Sequence, residues 1–176
     1  MKTDYRKFYY LENYLFDEVG PRFRKTGKIS PEDFYMILIW KANRAKNRIR
    51  DKLKAKSGSF TSAVSKITAS LHESCDPKGR LENLMDGWHF RLPTASAILT
   101  VLFPNDFSVY DIRVCGELGK FHELADRRFS EGFWESYLEF LAAVNREVPG
   151  ESCLRDKDRF LWGRSFYKGV QDGIQG

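Results

Sequence analysis

Apolar residues recur at helical spacing along almost the whole chain, and strand-like alternation is nearly absent. Residues 4–18 hold Phe8, Tyr9, Leu11, Tyr14, Leu15 and Phe16, which predicts a helix with one broad buried face, ended by Gly20-Pro21. Ser30-Pro31-Glu32-Asp33 has the composition of a helix start. The serine caps free N–H groups, the proline sits where no N–H is needed, and the acids lie beside the positive end of the helix dipole. The helix that follows is apolar nearly all round from Phe34 to Trp40, which predicts a central position, and it then turns abruptly basic. Ser57-Gly58-Ser59 breaks the pattern. Phe60, Val64, Ile67 and Leu71 define a helix over 60–72, and Asp76-Pro77 opens a shorter one carrying Leu81, Leu84 and Met85. After a connection at 86–92, Pro93 opens a segment from Thr94 to Phe103, and Pro104-Asn105-Asp106 is a turn. Phe107 to Tyr110 is extended at most, and Asp111 begins a helix to about Leu118. Residues 130–145 place Phe133, Tyr137, Phe140, Leu141 and Val144 on one face, and a last helix spans about 154–170. With no internal repeat and no linker, the expected fold is all-α, a single compact helical domain over 1–176.

Composition narrows this picture. A chain of 176 residues has the length of one domain and buries roughly 70% of its unfolded surface. A hydrophobic share of 42% with 15% aromatics excludes a disordered chain, and only 6 Pro and 13 Gly exclude a collagenous or linker-rich one. Cys75, Cys115 and Cys153 are odd in number and far apart, so no disulfide framework is implied. The charged start, Met1 to Lys7, lacks an apolar leader, and the longest apolar run is far shorter than the roughly 20 residues of a membrane helix. The expectation is a cytoplasmic protein with no membrane partner. No Cys/His cluster exists, and His72, His89 and His122 lack ligand spacing, so no metal is expected. Oligomeric state is not legible.

Charge adds one local feature. The net charge is +5, yet Lys41 to Lys56 carries eight basic residues against Asp51 alone, which makes that segment +7 and the rest of the chain −2. Two readings stand. One is a phosphate-contacting surface with salt-sensitive, sequence-independent binding, in which Lys41, Arg44 and Arg48 contact nucleic acid. The other is a solvated helix end, where cations also suit the dipole. Trp40, ahead of the run, either lines a base pocket or belongs to the core.

The most informative stretch is Leu81 to Leu118: a short helix, a tight connection, a second helix opened by Pro93, a turn, and a third helix opened by Asp111. Free N–H groups at the Thr94 helix start would hold a phosphate oxygen, and Asp111 occupies the N-cap position. This stretch resembles the helix-hairpin-helix DNA glycosylase superfamily. Thr94-Ala95-Ser96-Ala97-Ile98-Leu99 is similar to the second hairpin helix of adenine-mismatch members, and Phe107 to Val114 looks like their F-P-x-x-D-x-x-V, at the same separation. A likeness to a bacterial branch of the superfamily adds Trp40-Lys41, Leu92 to Leu99, Val109 to Val114 and Arg155 to Trp162, in that order, over about 30–168.

The resemblance implies a helix-hairpin-helix over about 78–103. Backbone N–H groups there, including those of Thr94 and Ala95, grip a DNA phosphate, often with a bound monovalent cation, the only cofactor implied. The target nucleotide is flipped into a pocket. Asp111 is then the catalytic residue: its charge stabilises an oxocarbenium-like sugar, and it orients or deprotonates the attacking water. The implied function is a monofunctional glycosylase of base-excision DNA repair. Three departures bear on this. His89-Phe90-Arg91 stands where the superfamily has G-V-G, so close backbone approach to phosphate is in question and Arg91 either supplies charge instead or is merely solvated. Pro93 stands where bifunctional members carry a Schiff-base lysine, which implies no lyase step. Cys153 is the only cysteine after Cys115, too few for an iron–sulfur cluster. Asp158, Arg159 and Trp162 are expected to be structural, an ion pair and an aromatic anchor. Two alternatives remain: a catalytically inactive DNA-binding module, and a helical protein-interaction domain. The DNA reading sets a geometric condition, that residues 41–56 lie on the same side as the hairpin at 86–94.

Overall fold

The computed structural model describes residues 4–151 and 153–175, and all regular structure among them is helical. After a 3-10 turn at Tyr5–Phe8, helix α1 (Leu11–Tyr14), a π turn (Leu15–Val19) and α2 (Gly20–Thr26) follow without a break. Gly20-Pro21, expected to end this helix, lies inside it. The Gly20 N–H reaches back five residues to the Leu15 carbonyl, so the wide turn absorbs the irregularity. Pro21 then falls in the first turn of α2, where its missing N–H costs little. The helix stops instead at Gly27, in the left-handed region at φ 69°, with its N–H on the Phe23 carbonyl at 2.7 Å.

Helix α3 (Pro31–Ala42) starts as predicted: the Ser30 hydroxyl accepts from the Asp33 N–H at 3.1 Å, and Pro31 follows. The basic run is not its continuation. A turn at 43–45, containing neither glycine nor proline, separates α3 from α4 (Lys46–Ser57). Helix α4 buries Leu53 and leaves its cations outward, against α5 (Phe60–Glu73), which Ser59 caps. Asp76 caps α6 (Pro77–Glu82), which passes through a π turn (Asn83–Gly87) and a short loop into α7 (Leu92–Leu102). Then come α8 (Ile112–Leu118), a 3-10 turn (His122–Asp126), α9 (Glu131–Glu147) and α10 (Leu154–Gln175), which runs past its predicted end.

The centre is α7 rather than α3. Nine of the eleven α7 residues are buried, whereas Tyr35, Met36, Ile39 and Trp40 of α3 are only half-buried. Small side chains explain this: Ala95, Ser96 and Ala97 let other elements approach α7 closely, and a Cβ on Gly20 would stand 2.4 Å from the Val101 carbonyl oxygen. One continuous apolar cluster runs from Tyr14 to Leu161, with Phe23, Phe34, Phe107, Phe133, Tyr137 and Phe140 fully buried. Its buried acid Asp33 is satisfied by the Tyr14 hydroxyl at 2.7 Å, the Ser30 hydroxyl at 2.9 Å and Arg22. No helix among the described residues is long and apolar enough to cross a membrane.

Candidate functional site

The segment from Phe107 to Tyr110 is extended and buried, and three side chains from different helices pin it. The Tyr110 N–H donates to the Ser96 hydroxyl of α7 at 2.9 Å. The Tyr137 hydroxyl of α9 donates to the Ser108 carbonyl at 2.8 Å. The Ser108 hydroxyl and the Val109 N–H both donate to the Asp158 carboxylate of α10, at 3.1 and 3.0 Å. Every polar group of a buried strand-like segment needs such a partner, and the result is that the next residue, Asp111, has a fixed position. Burial pushes the Asp158 carboxyl up to about 6, against the opposing pull of Arg155, the Val109 N–H and the Ser108 hydroxyl.

Asp111 caps α8. One carboxylate oxygen accepts the Arg113 N–H at 2.9 Å, and the other accepts from the Lys41 ammonium at 2.6 Å. Both side chains are mostly buried. Lys41, expected to reach DNA phosphate, therefore turns inward, because α3 ends beside the start of α8. The pair lies on the wall of a cavity of about 450 Å³, lined also by Glu12, Trp40, Val109, Val114, Arg155, Asp158, Arg159 and Trp162. Trp40 is both pocket wall and packing residue: half-buried, it meets Phe16 edge-on at 5.6 Å. Arg155 was not a sequence candidate for the site, although it opens the Arg155-to-Trp162 motif. It pairs with Glu12 and Asp158, and its guanidinium lies 4.6 Å from the Phe16 ring centre and 5.3 Å from that of Trp40. Its Nε–H is buried and has no partner among the described residues. The late motif divides in two: Asp158 is structural, paired with Arg155 rather than Arg159, whereas Trp162 is 42% exposed and faces the cavity rather than anchoring α10, a task left to buried Leu161.

The basic helix and the 88–91 loop lie together, which satisfies the condition set by the sequence. The Lys56 ammonium donates to the Gly87 carbonyl and sits 5.3 Å from the Trp88 ring centre. A cleft of about 190 Å³ between them is lined by Arg48, Ile49 and Lys52 on α4 and by Trp88, His89, Arg91 and Thr94 opposite. Arg44 and Arg48 are exposed. Trp88 carried no signal in the sequence beyond its aromaticity. His89 has the left-handed φ of 58° although it has a Cβ. Exposed Arg91 pairs with Asp126 at 2.9 Å, and on its far side a second cleft of about 490 Å³ adds Arg127 and Arg128. The expected grip through Thr94 and Ala95 is corrected: both N–H groups donate to the Arg91 carbonyl at 3.0 Å, within the first turn of α7, and the Ala95 side chain is buried. Among the described residues, no three His, Cys, Asp or Glu side chains group so as to hold a metal ion.

Compared with known proteins, the chain matches no family model, no curated protein and no solved structure.

Proposed function

We propose that this chain is a DNA-binding protein of the helix-hairpin-helix glycosylase type, in which a flipped nucleotide enters the cavity and Asp111 assists hydrolysis of its N-glycosidic bond. One observation carries the reading: the Asp111 carboxylate, held by a helix N-terminus and by Lys41, lies on the wall of a cavity that also offers Trp40 and Trp162. A fixed carboxylate beside aromatic rings suits a sugar that becomes cationic as its base leaves. The adjoining face, with Arg44, Arg48 and Lys52, supports the DNA part of the reading, since phosphate neutralisation supplies sequence-independent affinity. Pro93 at the hairpin position keeps the proposed reaction a simple hydrolysis.

A second reading is a DNA-binding module without chemistry. Two observations favour it: both Asp111 oxygens already have partners, and the Thr94 and Ala95 N–H groups are used within α7. Incubation with a panel of lesion-containing duplexes, followed by alkaline strand scission, separates the two. Scission by the wild type but not by Asp111→Asn supports the enzyme. Equal inertness of both proteins across a panel they bind selects the module.

A further inference from the structure

Beside the cavity, α8 and α10 build a surface of which the proposed reaction uses only Trp162. Trp162 and Phe166 lie one turn apart on α10, with ring centres 5.4 Å apart and planes within 7°. Phe166 is 48% exposed, so neither ring is consumed by the core. The Arg113 guanidinium stands 5.5 Å from the Trp162 ring centre and 5.7 Å from that of Phe166. Glu117, one turn further along α8, does not neutralise it, because Arg164 and Lys168 hold that carboxylate. Next to Arg113, Ile112 is 73% exposed.

We infer that Trp162, Phe166 and Arg113 form a stacking platform for an unpaired DNA base next to the nucleotide held in the cavity. The inference rests on the DNA reading above and specifies its substrate: DNA that already presents unpaired bases. Three features carry it. The two rings are parallel and both side chains stay partly exposed, and aromatic rings accept a stacked base whatever its sequence. A guanidinium over such rings adds a second flat, cationic surface, suited to a base plane or its phosphate. Trp162 belongs to both the platform and the cavity wall, so the platform adjoins the cavity that holds Asp111.

The test compares a labelled perfect duplex with the same duplex carrying a three-nucleotide bulge, by fluorescence anisotropy. The wild-type chain is expected to bind the bulged duplex about tenfold more tightly, the scale of one stacked base. Phe166→Ala and Trp162→Ala each remove most of that preference and Phe166→Tyr keeps it, while the perfect-duplex affinity of Phe166→Ala stays within about twofold, with thermal melts confirming folded variants. Equal affinity of the wild type for both duplexes overturns the platform and leaves DNA binding standing, as does a preference that survives in both alanine variants. No binding to either duplex overturns the platform and the DNA reading together. A dimer that Trp162→Ala turns into a monomer, with DNA preference unchanged, overturns the platform in favour of a self-association surface.

Discussion

The Lys41 ammonium lies 2.6 Å from the Asp111 carboxylate, although 70 residues separate them in sequence. This contact joins the end of the α3 apolar run to the start of α8, and it decides which way the carboxylate faces. An N-cap aspartate alone would leave its second oxygen to solvent. Here that oxygen is held, so the group is positioned before any ligand arrives, as a preorganised site requires.

Because Asp111 both caps and pairs, its two obvious substitutions separate the cap from the pair. Asparagine caps as well as aspartate does but leaves Lys41 without its anionic partner, so Asp111→Asn is expected to lose the pair and keep the cap, and to be less destabilised than Asp111→Ala. Asp111→Ala loses the cap and strands the mostly buried Lys41 charge, and should cost about 1–3 kcal/mol in urea unfolding. Equal stabilities would show that the pair and cap contribute nothing.

Asp158 gives the fold a pH signature. Its carboxyl is raised by burial from 3.8 to about 6. The folded chain therefore binds more protons at this site than the unfolded chain between about pH 4 and 6. Stability falls as pH rises through that window and is level above it. Relative to Asp158→Asn, which does not titrate, the wild type should lose stability across the window. A difference that is flat with pH would remove burial as the dominant influence on this group.

Gly20 is required by space rather than by backbone angle. A Cβ there would meet the Val101 carbonyl oxygen of α7 at 2.4 Å, and backbone cannot step aside as a flexible side chain can. Gly20→Ala is expected to destabilise by at least about 1–3 kcal/mol, the range for overpacking. Alanine at Gly116, a helical position open to space, serves as the control.

Arg48 and Lys52 border the cleft between α4 and the 88–91 loop without taking part in the core. If this face meets phosphates, Arg48→Ala and Lys52→Ala should each flatten the salt dependence of DNA affinity by about one unit of log–log slope, with little change in melting temperature. Lys56→Ala should also loosen the loop, since Lys56 binds the Gly87 carbonyl and covers Trp88.

Much of the helical order was legible because its signals are local. Ser30-Pro31, Asp76-Pro77 and Asp111 each cap the helix they were expected to open, and Ser59, read only as part of a break, caps α5. The failures came where tertiary packing overrode local signals. Gly20-Pro21 looks like a stop, yet a π turn and the close approach of α7 keep the helix going. The turn at 43–45 has no breaker, so α3 and α4 read as one helix. Of the candidate site, Asp111 and Trp40 were found from motif and pattern and do line one cavity. The inward turn of Lys41 was hidden, because no spacing along the chain reports that α3 ends beside α8. Trp162 reads as a packing residue and Arg155 carries no role in the sequence for the same reason: their place on a cavity wall depends on how α10 lies against α8.

The most direct test of the central claim does not require knowing which base is removed. Duplexes carrying a pyrrolidine abasic analogue, cationic where the sugar becomes positive, are compared with duplexes carrying the uncharged tetrahydrofuran analogue. If the Asp111 carboxylate faces a developing cationic sugar, the wild type binds the pyrrolidine duplex at least about tenfold more tightly, and Asp111→Asn loses that preference while still binding both. Equal affinities for the two analogues in the wild type, or a preference that survives in Asp111→Asn, would contradict it.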